Sequence, residues 1–507
     1  YLRPLPLSDY LREQPMPEGP NVLNLRTFGA EPGSGTVQTQ AFLRASEALR
    51  RQGGGTLLVE GGVYVTGMFR LPGNTTLFIA PDSEIRASRN LEDYTLHDVT
   101  DLWDHGRESG SGCLLLCDGV QDVCITGGGR ICGMGEWFVY EPREKPLRTP
   151  HACTMIPSAV QKEEINTLPG SVRTLYRERI RYAQDRYGQG LPDMKRPACM
   201  VWILKSCRVH IHHIVLASSM RWTLNLEMCE DVTVENVVID DNRHVANTDG
   251  VDVCGSSRVK IRHCLISCAD DGVVVKNPAH TERSMEDVEV SDCRVHTVMN
   301  AFKIGTETAG DIRGIHVHDC VFELSDIYPG SVSGISIESC DGSHVQHVLV
   351  ERIRMEHVLC PVYLCLNRRN RWQAPYTEET EHGRYWGGDI RDVTIRHLIC
   401  HGVELPCILT GYTDVTRGGK KVRKAPSKIE LEDWDMVYRD NAEQVQVPPV
   451  IPENLTDYPE SNAHGDVGAC GIYARHLDDL KVSDIRVTPR STNTRPVMLL
   501  EDVTQRG

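Results

Sequence analysis

From Val209 onward the chain repeats an apolar-polar-apolar triplet: Val209-His210-Ile211, Val232-Thr233-Val234, Val259-Lys260-Ile261, Val288-Glu289-Val290 and Ile315-His316-Val317, in steps of 23, 27, 29 and 27 residues. Each triplet follows a polar turn and alternates with the period of two that marks a strand with one buried face. A repeat this short has no room for a helix between strands. Each one is therefore a few short strands joined by turns, and each buries its apolar face by stacking on the next. An all-β, parallel β-helix satisfies these constraints, whereas a propeller needs longer, four-stranded blades. Later triplets, Val348-Leu349-Val350, Val393-Thr394-Ile395 and Leu480-Lys481-Val482, are spaced more widely. The excess falls at 367–388, rich in Arg, Trp and Tyr, and at 412–464, rich in Pro and charge; both are predicted to be loop insertions. A third insertion, 137–197, is charged and irregular, with a helical stretch predicted near 171–186. Residues 1–507 are expected to form one β-helix domain.

Residues 21–60 read as a cap over the first edge of the stack. Thr36 is the predicted N-cap of a helix whose apolar face carries Ala41, Phe42, Ala45, Ala48 and Leu49, and Gly53-Gly54-Gly55 ends it. Such a cap covers an edge that would otherwise pair with other chains. Short strands are predicted at 57–59, 76–79, 114–116, 123–126 and 130–131, separated by Gly, Pro, Asn and Asp.

Composition narrows the partners. A formal net charge of -15 opposes binding to nucleic acid and counts mildly against a long acidic polymer. No apolar run is long enough to cross a bilayer. The 19 cysteines show no CxxC spacing, so a zinc site is not expected, and an odd number cannot all pair within the chain. Many share one context, as in Ser206-Cys207-Arg208, Met228-Cys229-Glu230 and Asp292-Cys293-Arg294, which reads as small buried thiols at stacked turns. A reducing, cytoplasmic compartment is the expectation. Oligomeric state is not legible.

The chemistry gathers at 246–277, ANTDGVDVCGSSRVKIRHCLISCADDGVVVKN, where Asn247-Thr248-Asp249 and Asp270-Asp271 are one coil apart. Either turn alone is ordinary, because Asn, Asp and Gly favour turns. Stacked, they crowd three carboxylates together, and crowded carboxylates do not all ionise alike, so an acid and a base can share one site.

The amino-terminal segment, with its Phe28-Gly29-Ala30 strand, helix, glycine break and Gly62-Val63-Tyr64 strand pair, resembles pectin-degrading, right-handed, single-stranded parallel β-helix enzymes of the pectin-lyase-like type. The NTD turn followed by DD resembles glycoside hydrolase family 28, the polygalacturonase family, as do RPACMVWILKSCRVHI and SSMRWTLNLEMCEDVTV. That resemblance implies an inverting glycoside hydrolase acting on plant-type, pectic oligosaccharides without metal or cofactor. By it, Asp270 is the general acid, and Asp249 with Asp271 activates water.

The departures concern the sugar. Where the family has Gly-His-Gly, this chain has Met299-Asn300-Ala301, and the family's Arg-Ile-Lys is replaced by Ser336-Ile337-Glu338. An anion thus stands where a cation is expected to hold a substrate carboxylate, which points to altered sugar specificity. Lys276 and Lys303 are candidate replacements, against a reading as solvated strand-edge lysines. Asn247, Asn300, Glu307 and Glu338 are further substrate-binding candidates. His244 could stand in for the family histidine, and Arg243, Arg221 and Trp222 complete the groove candidates, although a strand Trp is more often core. The insertions suggest an exo-acting pocket. Two alternatives remain at this level: a carbohydrate-binding β-helix without catalysis, and a lyase, which would need Ca²⁺ or a basic Arg or Lys near the carboxylates.

Overall fold

The computed structural model describes residues 7–94, 112–135, 196–242, 245, 247–281, 283–324, 332–369, 388–415, 420–438, 447, 449–489 and 495–506. The described residues divide into two compact units, the first those up to 252 together with 262–271, the second those of 253–261, of 272–324 and from 332 onward. Both are built from parallel strand ladders running coil to coil, the parallel β-helix arrangement expected from the triplets. The predicted helix at 171–186 and most of 137–197 and 367–388 lie outside the described residues.

In the first unit three ladders are visible. One stacks Cys113–Asp118, Cys199–Leu204 and Trp222–Glu227, with Leu115, Val201 and Leu224 in register. A second stacks Gly55–Val59, Thr75–Ile79, Gln121–Thr126, Cys207–Ala217 and Glu230–Asp240. There Val123, Val209 and Val232 form one column and Ile125, Ile211 and Val234 another. The third runs from Val63–Thr66 through Glu84–Ala87 and Arg130–Cys132 to Leu265–Ser267. The repeating triplets are therefore register partners, and their apolar positions are almost wholly buried.

The second unit repeats the plan. Val288, Ile315, Val348, Val393, Ile429 and Leu480 are successive partners in one column. The Ile429 triplet lies in Ser427–Tyr438, inside the range read as a loop insertion at 412–464. That range thus holds a full coil strand, hidden in the sequence by its charged surroundings, and a small antiparallel pair, Tyr412–Val415 with Lys421–Lys424.

What bends the chain between faces is a single left-handed residue at each corner. Arg208, Asp231, Asp287, His347, Asp392 and Asp479 immediately precede their triplets, with φ between 52° and 60°, and Gly314 holds the same place at 69°. A second set, including Asn236, Asp292, Asp319, Arg352 and His397, follows the triplets. Asn and Asp tolerate this region best, which explains the polar turn before every triplet. Corner side chains also meet between coils: Arg208 donates to Asp122 at 2.7 and 2.8 Å, and Arg352 to Asp319 at 2.7 and 2.9 Å.

The helix Thr39–Gln52 buries Ala41, Phe42, Ala45 and Leu49, and Gly53 ends it at φ 85°. Its N-cap position is Gln38, not Thr36, and no side chain caps it. The Gln38 amide is instead drawn back to the Glu31 carbonyl and the Ser34 hydroxyl, both at 2.9 Å, so the turn before the helix claims it. The turn cysteines behave as buried thiols. Cys229 donates to the Ile203 carbonyl at 3.2 Å, and Cys293 to that of Ile261 at 3.7 Å.

Two outcomes follow from this packing. Ile315→Ala removes a 1 %-exposed column residue and should cost about 2–5 kcal/mol, read as a lower urea midpoint; an unchanged midpoint would contradict the column. Glu351 is penalised by burial, but Arg396, Arg352 and His316 outweigh this and hold its carboxyl down at about 2, below the ordinary 4.5. Its contribution to stability is therefore complete above about 4.5 and is lost as pH falls toward 2. Glu351→Gln should flatten the acid limb of thermal midpoint against pH, and parallel curves for the two proteins would refute this.

Candidate active site

The two acidic turns of the first unit are bonded to each other before their side chains are considered. The Gly250 amide donates to the Asp271 carbonyl at 2.9 Å, and the Ala269 amide to the Thr248 hydroxyl at 3.1 Å. Thr248 in turn donates to the Val245 carbonyl at 3.0 Å, closing the first turn on itself. The Thr223 amide donates to the Asp249 carbonyl at 2.9 Å, which ties that turn to the strand Trp222–Glu227. Asp270 Oδ1 accepts the amide of Asp271 at 2.9 Å, a local bond of the kind that makes Asp a turn former.

These bonds set the carboxylates together. One oxygen from each of Asp249, Asp270 and Asp271 lies within 4.8 Å of the other two, and all three residues are buried, at 3 %, 9 % and 4 % exposure. Two hydrogen bonds of about 2.7 Å span up to about 5.4 Å, so a single water can bridge a pair of these oxygens. The same cluster of oxygens has the spacing of a possible cation site. Hard oxygen ligands of this kind suit Ca²⁺ or Mg²⁺.

Asn247 adopts the left-handed conformation, φ 57°, and stands beside the cluster. Its Oδ1 accepts from Arg196 Nη2 at 2.8 Å, and its Nδ2 points at Asp270 Oδ2 at 3.4 Å. Arg can only donate, so it obliges Asn247 to present oxygen to it and the amide NH₂ to Asp270. Arg196 is itself 1 % exposed and donates through Nη1 to the Met220 carbonyl at 2.8 Å. It escaped the sequence reading because it lies 51 residues from Asn247. Its one local signal is its place at the head of the RPACMVW stretch.

Trp222 is 7 % exposed, with the Arg221 guanidinium 5.8 Å from its ring centre, so it belongs to the core rather than to a sugar-stacking platform. Arg243 and His244 lie outside the described residues.

The second unit gathers the remaining candidates. Lys276 and Lys303 are 4 % and 1 % exposed, which sets aside the alternative of solvated strand-edge lysines. Val274, Lys303 and Ser336 are register partners on neighbouring strands. Lys303 Nζ lies 3.7 Å from Glu338 Oε1, which also accepts from the Ser336 hydroxyl at 2.7 Å. Gly305, φ 138°, lets the strand pass this carboxylate, since a Cβ there would stand 2.5 Å from Glu338 Oε2. Burial raises the carboxyl of Glu307, but the charges of Lys276, Arg369 and Lys303 outweigh it and hold that carboxyl below its ordinary range. Arg369 Nη1 lies 3.8 Å from Glu307 Oε1. Lys303 and Arg369 also approach the ring of Tyr458, at 5.2 and 4.8 Å from its centre. Asn300 is buried at 1 % and its carbonyl accepts the Gly272 amide at 2.8 Å. Arg369 and Tyr458 were missed in the sequence because both lie in stretches that carry no repeat.

Comparison with known proteins shows what this arrangement is similar to. The family model "Glycosyl hydrolases family 28" matches residues 185–281, which include Arg196, Asn247 and all three aspartates. A relative from Vitis vinifera named "Probable polygalacturonase" is 22 % identical over 349 residues, 66 % of this chain and 60 % of the relative. The chain thus spans about three fifths of that relative's length. Among solved structures, the exopolygalacturonase of Thermotoga maritima superposes with a TM-score of 0.60 at 18 % identity, covering 95 % of both chains. The family 28 exopolygalacturonase of Yersinia enterocolitica gives 0.63 at 13 %, covering 96 % of this chain and 78 % of that one. These structures share the pectin-lyase-like parallel β-helix fold. The match to the family 28 model falls on the coils that carry the acidic turns.

Proposed function

We propose that the protein hydrolyses a glycosidic bond in a pectic oligosaccharide, with Asp270 as general acid and Asp249 and Asp271 together holding the nucleophilic water. The observation that carries this reading is the approach of the three carboxyl oxygens to within 4.8 Å of one another. Glycoside hydrolysis needs one carboxyl group protonated and another ionised, and a crowded trio supplies both forms. Asp270 delivers its proton to the glycosidic oxygen as the bond to the anomeric carbon breaks. Water between Asp249 and Asp271 attacks that carbon and passes its proton to one of them. Attack by water from the face opposite the leaving group inverts the anomeric configuration. Asn247, fixed by Arg196, orients the Asp270 carboxyl through its amide. The names of the matched relatives support a pectic substrate, and the two exopolygalacturonases of the same fold support cleavage from a chain end. The burial of cysteine thiols such as Cys229 and Cys293 at the coil turns supports a reducing, cytoplasmic compartment.

Asp270→Asn should lower kcat on a pectic oligosaccharide by about 10²- to 10⁴-fold with little change in thermal midpoint; near-native turnover would remove Asp270 as the acid. Proton NMR of the first product should show the inverted anomer, and an unsaturated product absorbing in the ultraviolet would instead establish a lyase. Arg196→Met should lower kcat more than it raises KM, because it acts through Asn247 and Asp270. Equal loss in both, or loss of folding alone, would leave Arg196 a structural residue.

A further inference from the structure

We infer that His212 and His213, on the outward side of the strand Cys207–Ala217 in the first unit, form a binding site for a divalent transition metal, Cu²⁺ or Ni²⁺. The inference stands apart from the hydrolase reading. It starts from a backbone device. Successive side chains of a strand point to opposite faces, but His213 occupies a left-handed corner, φ 46°, and its carbonyl accepts the Gly128 amide there at 2.7 Å. The alternation breaks at that residue, and two sequence neighbours bring their rings together. Their Nδ1 atoms stand 2.8 Å apart, with the ring planes at 89°.

Other histidines of the coils lie against carboxylates: His210 against Glu235 at 2.7 Å, His316 against Glu351 at 3.3 Å, and His397 against Asp433 at 2.8 Å. His212 and His213 are bonded to neutral groups instead. The Thr126 hydroxyl lies 3.1 Å from His212 Nδ1, and Cys124 Sγ lies 3.4 Å from its Nε2. Glu235, the register partner of His212 on the next coil, is engaged by His210 and by Arg262, each at 2.7 Å. Burial, with His210 and His213 close by, holds His212 down at about 4, so its ring is neutral at neutral pH. Neutral imidazole is the form that binds a metal. With its proton on Nε2, beside the Cys124 sulfur, His212 offers the lone pair of Nδ1, in the manner of a metal-bound imidazole whose second nitrogen is fixed by an outer partner.

The spacing of the nitrogens selects the ion. Metal–nitrogen bonds of about 2.0–2.1 Å that meet at a right angle place the nitrogens about 2.9 Å apart, whereas a tetrahedral ion places them about 3.3 Å apart. The observed 2.8 Å fits the tetragonal geometry of Cu²⁺ and Ni²⁺ and falls short of the tetrahedral geometry of Zn²⁺. Both histidines are partly exposed, so the ion enters from solvent and water completes its coordination. On binding, the proton between the two nitrogens passes through solvent to Nε2 of His213. Both Nδ1 lone pairs then meet the ion, with no net release of a proton.

The test uses the full chain without a histidine tag. Ni²⁺ is titrated calorimetrically, and electron paramagnetic resonance is recorded with less than one equivalent of Cu²⁺. Both are applied to the wild-type protein, to His212→Gln and to His213→Asn, which keeps a residue suited to the left-handed corner. His397→Asn, at a corner of φ 56° where the ring is paired with Asp433, serves as control. Circular dichroism verifies folding. The wild-type protein should hold Ni²⁺ at a tight site and give an axial Cu²⁺ spectrum with couplings to two nitrogens. His212→Gln and His213→Asn should each weaken Ni²⁺ about a hundred-fold, because the second donor no longer adds an intramolecular contact, and should remove one nitrogen coupling. His397→Asn should change neither. Saturating Ni²⁺ should raise the thermal midpoint of the wild-type protein, since a ligand held only by the folded state stabilises it, and leave that of His213→Asn unchanged. Equal affinity at the tight site in wild type and both variants, a wild-type spectrum with one nitrogen, or equal weakening by His397→Asn would overturn the inference.

Discussion

Register between parallel strands is the constraint on which everything else in this protein depends. Each coil pairs residue for residue with the next, so Val209 faces Val232 and Ile315 faces Val348. A slip of one residue would turn every apolar side chain outward. The left-handed corners make that register unambiguous. They bend the chain at fixed places before and after each triplet, and their Asp, Asn, His and Arg side chains bond to the corner of the neighbouring coil, as Arg208 does to Asp122. A turn residue therefore has a defined neighbour one coil away, although no covalent link holds it there.

The acidic turns exploit this. Burying three carboxylates costs free energy that a fold tolerates only where the surrounding backbone holds them firmly. Here the backbone bond from Gly250 to Asp271 and the Thr248 hydroxyl bond to Ala269 make the two turns one rigid piece. Arg196 and Asn247 then add a directed amide contact to Asp270. In the proposed hydrolysis, preorganisation of this kind would supply acid and base without movement of the protein's own groups.

The second unit handles buried charge differently. Lys303 and Glu338 stand 3.7 Å apart and Arg369 and Glu307 3.8 Å apart, so that charges of opposite sign are buried together. The cost of removing two charges from water offsets much of their attraction, so buried ion pairs contribute little net stability. The strap around Tyr458, held by Ser461 and Arg475 and built from polar sequence, positions one wall of this cluster.

Much of this was legible in the amino-acid order. Alternation at a fixed period gave the coil strands, because the period of two is imposed locally by the pleat. NTD and DD one coil apart gave the carboxylate group, because turns are read from their own residues. The Ile429 coil was obscured by charge at its outward positions, and the Thr36 cap failed because a neighbouring turn engages Gln38. The sequence by itself thus determined the repeating fold and the three carboxylates, both products of short-range preference. Only the tertiary structure decided that Arg196 would fix Asn247, that Lys276 and Lys303 would be buried, and that Arg369 and Tyr458 would join them. Those placements depend on which distant coils and straps meet in space, and no local spacing encodes such meetings.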